Sequence, residues 1–318
     1  MKLTILALFA VLVGSSLVTK KVVENQSLYA PSAVIKNDIV MDLELPDVDN
    51  LAASSSGLKL SPAKKTIVLE SKNMIVFRGP VSAKSVAEAQ AKLLKMSYKL
   101  KKDDVIYLVL DTPGGSVFAG MEFIDHLRAV PQRIQTVTLF AASMGFQIVQ
   151  NMDKRYITRS GTLMSHRARG GVQGQFDGEL ETRYKMVKRA INYLDAIASK
   201  RMDISLEDYR KLIKDEYWVH GFDASQDKAA DEMVNLNCGK SLNGTEVKEF
   251  RTFFGPVDVT FSKCPLIRGP LKVDFKRLFG TRKQKNETKS AVNTMLNHKR
   301  KYVEQYILTD KHFNYFTQ

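Results

Sequence analysis

The part of the chain that most constrains its fold is a mostly apolar run, Ile134–Phe140, followed by small residues at Ala141–Gly145 (Ala-Ala-Ser-Met-Gly). Such a run is typical of a strand buried within a sheet. Residues 145–150 come next, and their pattern suits a helix. Ser143 therefore lies where a buried strand meets a helix, a position from which a serine hydroxyl can be exposed.

The surroundings of Ser143 suit acyl-transfer chemistry, although the same few residues are also typical of an ordinary tight turn. Small neighbours allow a substrate backbone to come close. The N-terminus of the following helix offers free N–H groups and the positive end of the helix dipole to a developing oxyanion. Other segments are needed to choose between a reactive serine and a turn.

A second strand–turn–helix pattern precedes the first. Val105–Leu110 (Val-Ile-Tyr-Leu-Val-Leu) is an uninterrupted apolar run, typical of a strand buried on both faces. The segment Asp111–Val117 contains the turn Pro-Gly-Gly, which frees backbone amides and lets the main chain approach a ligand. The pattern then becomes helical, with apolar residues at Met121, Phe123, Ile124 and Leu127.

A histidine follows a further strand-like segment. Thr162–Arg167 has the sequence Thr-Leu-Met-Ser-His-Arg, so His166 stands at its end, 23 residues after Ser143. One intervening strand could bring the imidazole back beside the serine hydroxyl. On its own, such a histidine is more often a structural residue than a catalytic one.

Several of these segments, taken in order, resemble the proteolytic subunit of Clp protease, the ClpP family. The matching segments are Pro113–Val117, Ala141–Gly145, Met164–His166 and Gly170–Gln175. The resemblance extends from about Thr66 to Val234. It implies an α/β fold, the ClpP/crotonase-like spiral of ββα units, with a small basic C-terminal extension beyond it.

The resemblance also implies roles for individual residues, and the chemistry of a serine peptidase gives the reasons. Serine is a weak nucleophile that needs an adjacent base, and an imidazole with a pKa of about 6.5 can take and return the proton. An acid then holds the imidazole in the right tautomer. The implied residues are Ser143 as nucleophile, His166 as base, Glu216 as third member, Gly115 and Met144 as oxyanion-hole N–H donors, and Ser116 and Val117 as substrate-binding residues.

The third member departs from the family pattern. In ClpP an aspartate stands just before an aromatic–aliphatic pair at this place, whereas here Glu216 precedes Tyr217–Val219 and Asp215 is one residue off. The longer arm of glutamate could still reach a histidine ring. A Ser-Lys dyad, as in membrane-associated relatives of the fold, is the alternative, with Lys185 as base if burial lowered its pKa.

The rest of the chain divides by composition. Residues 1–21 are expected to be a signal peptide or a short membrane anchor, because an uncharged apolar run, Leu3–Val18, lies between lysines. Residues 22–65 are expected to be a linker, 66–237 the protease domain and 238–318 the basic extension. Of the formal charge of +14, residues 239–318 carry +9, from 16 Lys/Arg against 7 Asp/Glu.

Smaller elements can also be predicted. Segments 66–70 and 73–80 are expected to form a strand pair, and Val81–Leu100 a helix. Glu179–Met202 has an amphipathic stripe and matches the long handle helix through which ClpP rings pair; an ordinary core helix is the alternative. A capped helix is expected to begin at Ser205–Asp208 and to run to about Lys214, and helical spacing returns at Ala291–Leu308.

The two cysteines, Cys238 and Cys264, are most simply a disulfide in an exported protein, with a pair of buried thiols as the alternative. The lack of a histidine cluster beside them argues against a metal site, and no cofactor is expected. His126 is expected to be structural or on the surface, while His220, His298 and His312 have no partner pattern.

These patterns together predict an exported serine endopeptidase, periplasmic or secreted from a bacterium, that cleaves short or unfolded chains. Because no ATP is found outside the membrane, no Clp ATPase partner is expected, and a homo-oligomer is. Two other classes remain open. One is a non-catalytic member of the fold. The other is a binding protein whose basic region contacts an anionic lipid, polymer or nucleic acid.

Overall fold

The structure of the protein is a computed structural model that describes residues 65–300, with side chains described to residue 296. The leader expected at 1–21, the linker expected at 22–65 up to its last residue, His312 and the stretch 301–318 lie outside the described residues, as does the side chain of His298. The domain boundaries that involve these stretches stay predictions.

The main element is a mostly parallel sheet in the order β1-β7-β5-β4-β3-β2, with β6 paired antiparallel to β5. Adjacent strands in the order are all parallel. The strands are β1 (Lys65–Leu69), β2 (Met74–Arg78), β3 (Val105–Thr112), β4 (Arg133–Ala142), β5 (Lys154–Ser165), β6 (Tyr217–His220) and β7 (Glu232–Cys238).

Helices connect the parallel strands, as the two strand–turn–helix patterns predict. They are α1 (Ala83–Ser97), α2 (Val117–Ala129), α3 (Met144–Gln150), α4 (Glu179–Met202), α5 (Leu206–Leu212) and α6 (Gly221–Gln226). Side-chain hydroxyls fix several helix starts: Ser82 forms a capping box at α1, and Ser205 accepts from the N–H of Asp208 at α5. The expected α/β class is confirmed.

The sheet is buried on both faces, which explains why its central strands are apolar without alternation. Leu108 and Leu110 of β3 pack in the larger core, against residues of the helices such as Phe123. Val109, between them in sequence, faces the other side and packs in a second cluster with Val137. Opposite faces of one strand thus enter two separate cores.

The predicted strand pair at 66–70 and 73–80 is wrong in its pairing. Both strands exist, but β1 pairs with β7 and β2 pairs with β3, so they occupy opposite edges of the sheet. Only residues 70–73 connect them, and four residues span at most about 14 Å. The sheet must therefore curl until its edges approach each other, which local sequence cannot indicate.

The long helix α4 has the bounds that its amphipathic stripe predicts. Its buried residues all lie in the second half, from Leu194 to Met202, whereas Tyr184 and Met186 in the first half are more than half exposed. The first half therefore projects from the core with apolar side chains uncovered within this chain. Between residues 65 and 300 no helix is both long and apolar enough to cross a bilayer.

The C-terminal extension folds into a unit of its own. A three-stranded antiparallel sheet, β8 (Thr245–Thr252), β9 (Gly255–Ser262) and β10 (Pro270–Asp274), packs with α7 (Arg282–Arg300). Helix α7 begins nine residues before the predicted position at Ala291. Its first turns are polar, and the buried residues among its described side chains, Val292 and Leu296, come later. The apolar periodicity therefore starts after the helix does.

A disulfide and an ion-pair cluster attach this unit to the main sheet. Cys238, the last residue of β7, is bonded to Cys264. Arg268 lies 3.5 Å from the carboxylate of Asp111 at the end of β3, and Arg78 contacts the same carboxylate at 2.9 Å. Arg78 also donates to the carbonyl oxygen of Pro265 at 2.8 Å. The extension is thus bonded to the strand that leads into the glycine turn.

A buried ion pair gives a test of the main sheet. Arg155 donates to Asp231 from Nε at 3.1 Å and from its backbone N–H at 2.8 Å. Replacing Asp231 with alanine would leave a buried guanidinium unpaired, and we expect unfolding free energy to fall by about 3–5 kcal/mol. Glu207→Ala, which breaks an exposed pair with Lys211, is the control and should cost at most about 0.5 kcal/mol. Urea unfolding measures both.

The same pair fixes a pH dependence. Burial acts to raise the pKa of Asp231, but the hydrogen bonds and charge of Arg155 outweigh it and lower the pKa below its ordinary value. A carboxyl with a depressed native pKa stabilises the fold above its unfolded pKa of about 3.9, and this stabilisation is lost as the pH falls through the native pKa. The variant should therefore lose less stability than the wild type on acidification below pH about 4.

Candidate active site

Ser143 occupies a strained turn between β4 and α3. Its backbone has φ 54° and ψ −118°, a conformation that L-residues with a side chain rarely adopt and that costs about 1–3 kcal/mol. Its N–H donates to the carbonyl oxygen of Met164 at 2.9 Å, which ties the turn to the neighbouring strand β5. The turn places Ser143 at the N-cap of α3, but its side chain makes no capping hydrogen bond.

His166 comes next to Ser143 because the two parent strands are parallel neighbours. Ala142 of β4 is in register with Met164 of β5, so both chains leave the sheet at the same edge. The Nε2 of His166 lies 2.9 Å from the Oγ of Ser143. Helix α3 and one strand, β5, lie between the two residues, as the spacing predicts, and His166 directly follows the end of β5.

The half-buried imidazole favours the neutral form. Burial lowers the pKa of His166 below 6.5, and the positive charge of Arg169 lowers it further. The negative charge of Glu216 acts in the opposite direction, with a smaller effect. A neutral imidazole beside a serine hydroxyl can act as a hydrogen-bond acceptor and take its proton.

The structure does not bond Glu216 to His166. The antiparallel register pairs Ser165 with Tyr217, which sets Glu216 opposite His166. The Glu216 carboxylate nevertheless accepts from Arg169 at 3.0 Å and from the indole N–H of Trp218 at 3.0 Å. The Nδ1 of His166 is buried and has no hydrogen-bond partner among the described residues. The expected contact is thus absent here, although backbone position allows it.

Strain marks the same two places. Among the described residues, four non-glycine residues have positive φ, and Ser143 and Glu216 (φ 70°) are two of them. The other two, Asp203 and Lys228, form an ion pair away from these turns. A strained backbone conformation persists only where the surrounding structure holds it in place, and such conformations are frequent at functional sites. Asp215, the alternative acid, ends a 3₁₀ turn with an exposed side chain.

The glycine turn after β3 packs directly on the serine turn. A Cβ built on Gly114 (φ 88°) would lie 2.7 Å from the Cβ of Ser143 and 2.8 Å from the N of Met144. Gly115 forms a parallel bridge with Val81 that uses the C=O of Gly114 and the N–H of Ser116. The N–H of Gly115 has no part in that bridge. Met144 is the first residue of α3, where a helix leaves its N–H unsatisfied.

The two predicted substrate-binding residues have structural partners. The hydroxyl of Ser116 caps α2 by accepting from the N–H of Ala119 at 3.3 Å. Val117 begins α2 and packs against the main core. Their main chains adjoin the glycine turn, and a role in substrate binding stays a prediction.

The sequence analysis missed a buried polar junction behind the site. The hydroxyl of Tyr209, on α5, is 2.8 Å from the Oγ of Ser165 and accepts from Gln147 at 3.1 Å. Ser165 precedes His166, and Gln147 is one helical turn after Ser143. Burial raises the pKa of Tyr209 to about 12, so the group stays a neutral phenol. Only the adjacency of Ser165 to His166 could have hinted at this junction.

The remaining lysine and histidine candidates among the described side chains do not contact Ser143 or His166. Lys185 is an exposed residue paired with Glu181 at 2.6 Å, so it lacks the burial that a neutral lysine base requires. His126 is exposed on α2, and the Nδ1 of His220 contacts the Oγ1 of Thr162 at 3.0 Å. No group of His, Cys, Asp or Glu in residues 65–296 has the arrangement of a metal site.

The close approach of the two turns can be tested by adding one methyl group. Gly114→Ala would push a Cβ to 2.5 Å from the carbonyl oxygen of Ala142 in a positive-φ conformation. We expect a loss of about 2–4 kcal/mol of unfolding free energy, combining overpacking with backbone strain.

Gly171→Ala is the matched control, because a Cβ there meets nothing within 4 Å. Its unfolding free energy should stay within about 0.5 kcal/mol of the wild type. Equal losses in the two variants, measured by thermal or urea unfolding, would contradict the packing of the glycine turn on the serine turn.

Comparison with known proteins places this site in a family. The family model described as Clp protease matches residues 63–235. This match spans over half of the 318 residues and includes the glycine turn, Ser143, His166 and Glu216.

Similar curated proteins agree with that match. Three of them, described next, carry the name ATP-dependent Clp protease proteolytic subunit. The protein of Streptococcus sanguinis is 27% identical over 165 residues, which cover 51% of this chain and 84% of the relative. That of Lactococcus lactis is 27% identical over 168 residues, covering 52% and 84%. That of Streptococcus pneumoniae is 28% identical over 176 residues, covering 54% and 87%. The chain therefore belongs to the Clp protease family.

Proposed function

We propose that this protein is a serine endopeptidase in which Ser143 is the nucleophile and His166 the general base. The observation that carries the proposal is the 2.9 Å contact between Ser143 Oγ and His166 Nε2. Membership of a protease family supports peptidase activity in general. The depressed pKa of His166 supports the base role, because a neutral imidazole is required to accept the hydroxyl proton.

The first step is the attack of the Ser143 oxygen on the scissile carbonyl carbon, as its proton passes to Nε2 of His166. The carbonyl oxygen takes the negative charge, and the N–H groups of Gly115 and Met144 stabilise it by about 3 kcal/mol per donor. The C–N bond then breaks while the imidazolium returns its proton to the leaving amine. Water, deprotonated by the same imidazole, hydrolyses the acyl ester and regenerates the serine.

Glu216 completes the site in this proposal by turning from Arg169 toward Nδ1 of His166. Two observations support it: the residue stands opposite His166 in the β5–β6 register, and Nδ1 is a buried donor position with no partner among the described residues. An imidazolium formed during the reaction would attract the carboxylate more strongly than the neutral ring does.

Export and substrate class are further parts of the proposal. The apolar run at Leu3–Val18 is typical of an export signal or a short anchor, and the disulfide between Cys238 and Cys264 suits an oxidising compartment. Because such a compartment lacks ATP, we propose that the enzyme acts without an unfoldase on short or unfolded chains. The relatives are named as subunits, and the exposed apolar residues of α4 supply a surface for homo-oligomerisation.

Covalent labelling tests the nucleophile. A fluorophosphonate should modify Ser143 in the full chain without nucleotide, and the adduct can be mapped by mass spectrometry. Ser143→Ala should abolish labelling and lower kcat/KM on a quenched unfolded peptide by at least about 10⁴-fold. Ser290→Ala, an exposed serine on α7, should change neither. Labelling that persists in the Ser143 variant would place the reactive residue elsewhere and overturn the assignment. A wild-type protein that is neither labelled nor active on the peptide would favour a binding protein.

The pH profile tests the base and the two charges beside it. The acid limb of kcat/KM should have its midpoint below pH 6.5, since the pKa of His166 is lowered. Arg169→Gln removes a cation that disfavours the imidazolium, so the midpoint should move to higher pH. Glu216→Gln should move it to lower pH and also lower kcat.

Lys185→Gln is the control for the pH profile and tests the Ser-Lys alternative directly. Its exposed side chain has no contact with the site, so neither the midpoint nor kcat should change. A collapse of kcat in this variant, with a normal profile in the His166→Ala variant, would favour the dyad.

A further inference from the structure

The extension presents a cluster of aromatic rings at one end of its small sheet. We define the aromatic tip as Phe253 and Phe254, in the β8–β9 turn, and Phe279, which follows β10. Phe253 and Phe254 meet edge to face at 5.0 Å, and Phe254 meets Phe279 at 6.4 Å. The N–H of Phe279 donates to the carbonyl oxygen of Phe254 at 2.9 Å, so the two loops are joined through the backbone.

Two rings of the aromatic tip, those of Phe253 and Phe279, are exposed to solvent. Phe253 is 87% exposed and Phe279 is 61% exposed, whereas apolar residues of this unit such as Val257 are fully buried. These rings are therefore exposed although the same unit contains a buried apolar cluster. Neighbouring exposed phenyl rings on a fixed scaffold are typical of a surface that binds an apolar partner.

Cations flank the aromatic tip in sequence, and the first turn of α7, which carries two of them, lies beside it. Residues 275–286 contain Lys276, Arg277, Arg282, Lys283 and Lys285 and no acidic residue. Arg277 is neutralised by ion pairs with Glu249 and Asp258. We define the basic flank as Lys276, Arg282 and Lys283, all exposed. Lys276 also lies 4.0 Å from the carboxylate of Asp274, so Arg282 and Lys283 are the main cations of the flank. A Cβ on Gly280 would lie 3.2 Å from the Phe254 ring and 2.8 Å from Gln284, which puts the first turn of α7 beside the tip.

We infer that the aromatic tip and the basic flank together dock the protein on the surface of a bilayer that contains anionic phospholipid. The phenyl rings would enter the boundary of the acyl chains, and the cations would contact the headgroups. A bilayer offers both an apolar interior and negative charge at its surface, which match these two groups of side chains. This inference goes beyond peptidase activity and does not depend on it.

The composition of the surface favours a bilayer over the other partners. Nucleic-acid surfaces that bind single strands present flat aromatic faces for stacking, whereas these rings pack edge to face against each other. A second copy of the chain would bring the same cations against the basic flank, and like charges repel. An anionic bilayer has the complementary charge.

A tryptophan reporter tests the docking in the full chain. Trp218 is the single tryptophan of the sequence, so Phe253→Trp adds one further emitter at the tip. With vesicles of phosphatidylglycerol and phosphatidylcholine, the added fluorescence should shift to the blue and be quenched by lipids brominated on their acyl chains. Tyr98→Trp is the matched control, because Tyr98 is 82% exposed on another part of the surface; its emission should not change.

Partition into the same vesicles measures the energetics. Phe253→Ser/Phe279→Ser should weaken binding by at least about tenfold, because two phenyl rings no longer leave water. Arg282→Gln/Lys283→Gln should weaken it by about tenfold, and only while the vesicles contain phosphatidylglycerol. The control Lys101→Gln/Lys102→Gln changes the net charge equally, away from the tip. None of these variants should alter hydrolysis of a soluble peptide.

Several results would overturn the inference. Vesicle binding that is unchanged in the Phe253→Ser/Phe279→Ser variant would assign membrane contact to another part of the chain. Equal losses in the Lys101→Gln/Lys102→Gln control would reduce the effect to net charge. A blue shift in the Phe253→Trp variant that rises with protein concentration and needs no vesicles would assign the tip to a contact between copies.

Discussion

The positive-φ turn at Ser143 is the constraint on which the rest of the site depends. The turn directs the chain from β4 into α3 within a single residue. Ser143 stands at the N-cap position of α3, but its hydroxyl makes no hydrogen bond to that helix. It is held by a hydrogen bond to Met164 on one side and by the glycine turn on the other. Because the glycine at position 114 has no Cβ, the main chain of that turn can lie against the N–H of Met144. One close backbone contact thus fixes the positions of Ser143 and of the main chain at Gly114 and Met144 relative to each other.

Parallel pairing supplies the second half of the arrangement. Neighbouring parallel strands end at one edge, so the residues after β4 and β5 meet whatever the length of the loop between them. The antiparallel strand β6 then returns along β5 and brings Glu216 to the level of His166. Behind them, the buried Tyr209 hydroxyl bonds to Ser165 and Gln147 and so connects α5 with the segments that carry His166 and Ser143.

The C-terminal unit is joined to the same edge. Its disulfide begins at the end of β7, and Arg268 reaches the buried carboxylate of Asp111, three residues before Gly114. Arg78 bonds both to that carboxylate and to the backbone of the extension. The aromatic tip lies on the small sheet of this unit, in the turn between β8 and β9 and after β10. A membrane that binds the aromatic tip would therefore be linked, through this disulfide and these ion pairs, to the sheet that ends in the glycine turn.

The sequence by itself indicated the strands β3, β4 and β5 and the bounds of α4, because burial on both faces and helical periodicity are local patterns; the α/β class was implied by the resemblance to a family. It also indicated the family through the glycine turn, Ser143 and His166. Tertiary structure alone decided that β1 and β2 lie at opposite edges, since strand partners are chosen by the curl of the whole sheet. It alone directed Glu216 to Arg169, because a carboxylate bonds to the nearest donors that packing offers, and this donor lies on a segment distant in sequence. The bond from Trp218, two residues further along the chain, then depends on the strained backbone of Glu216 itself.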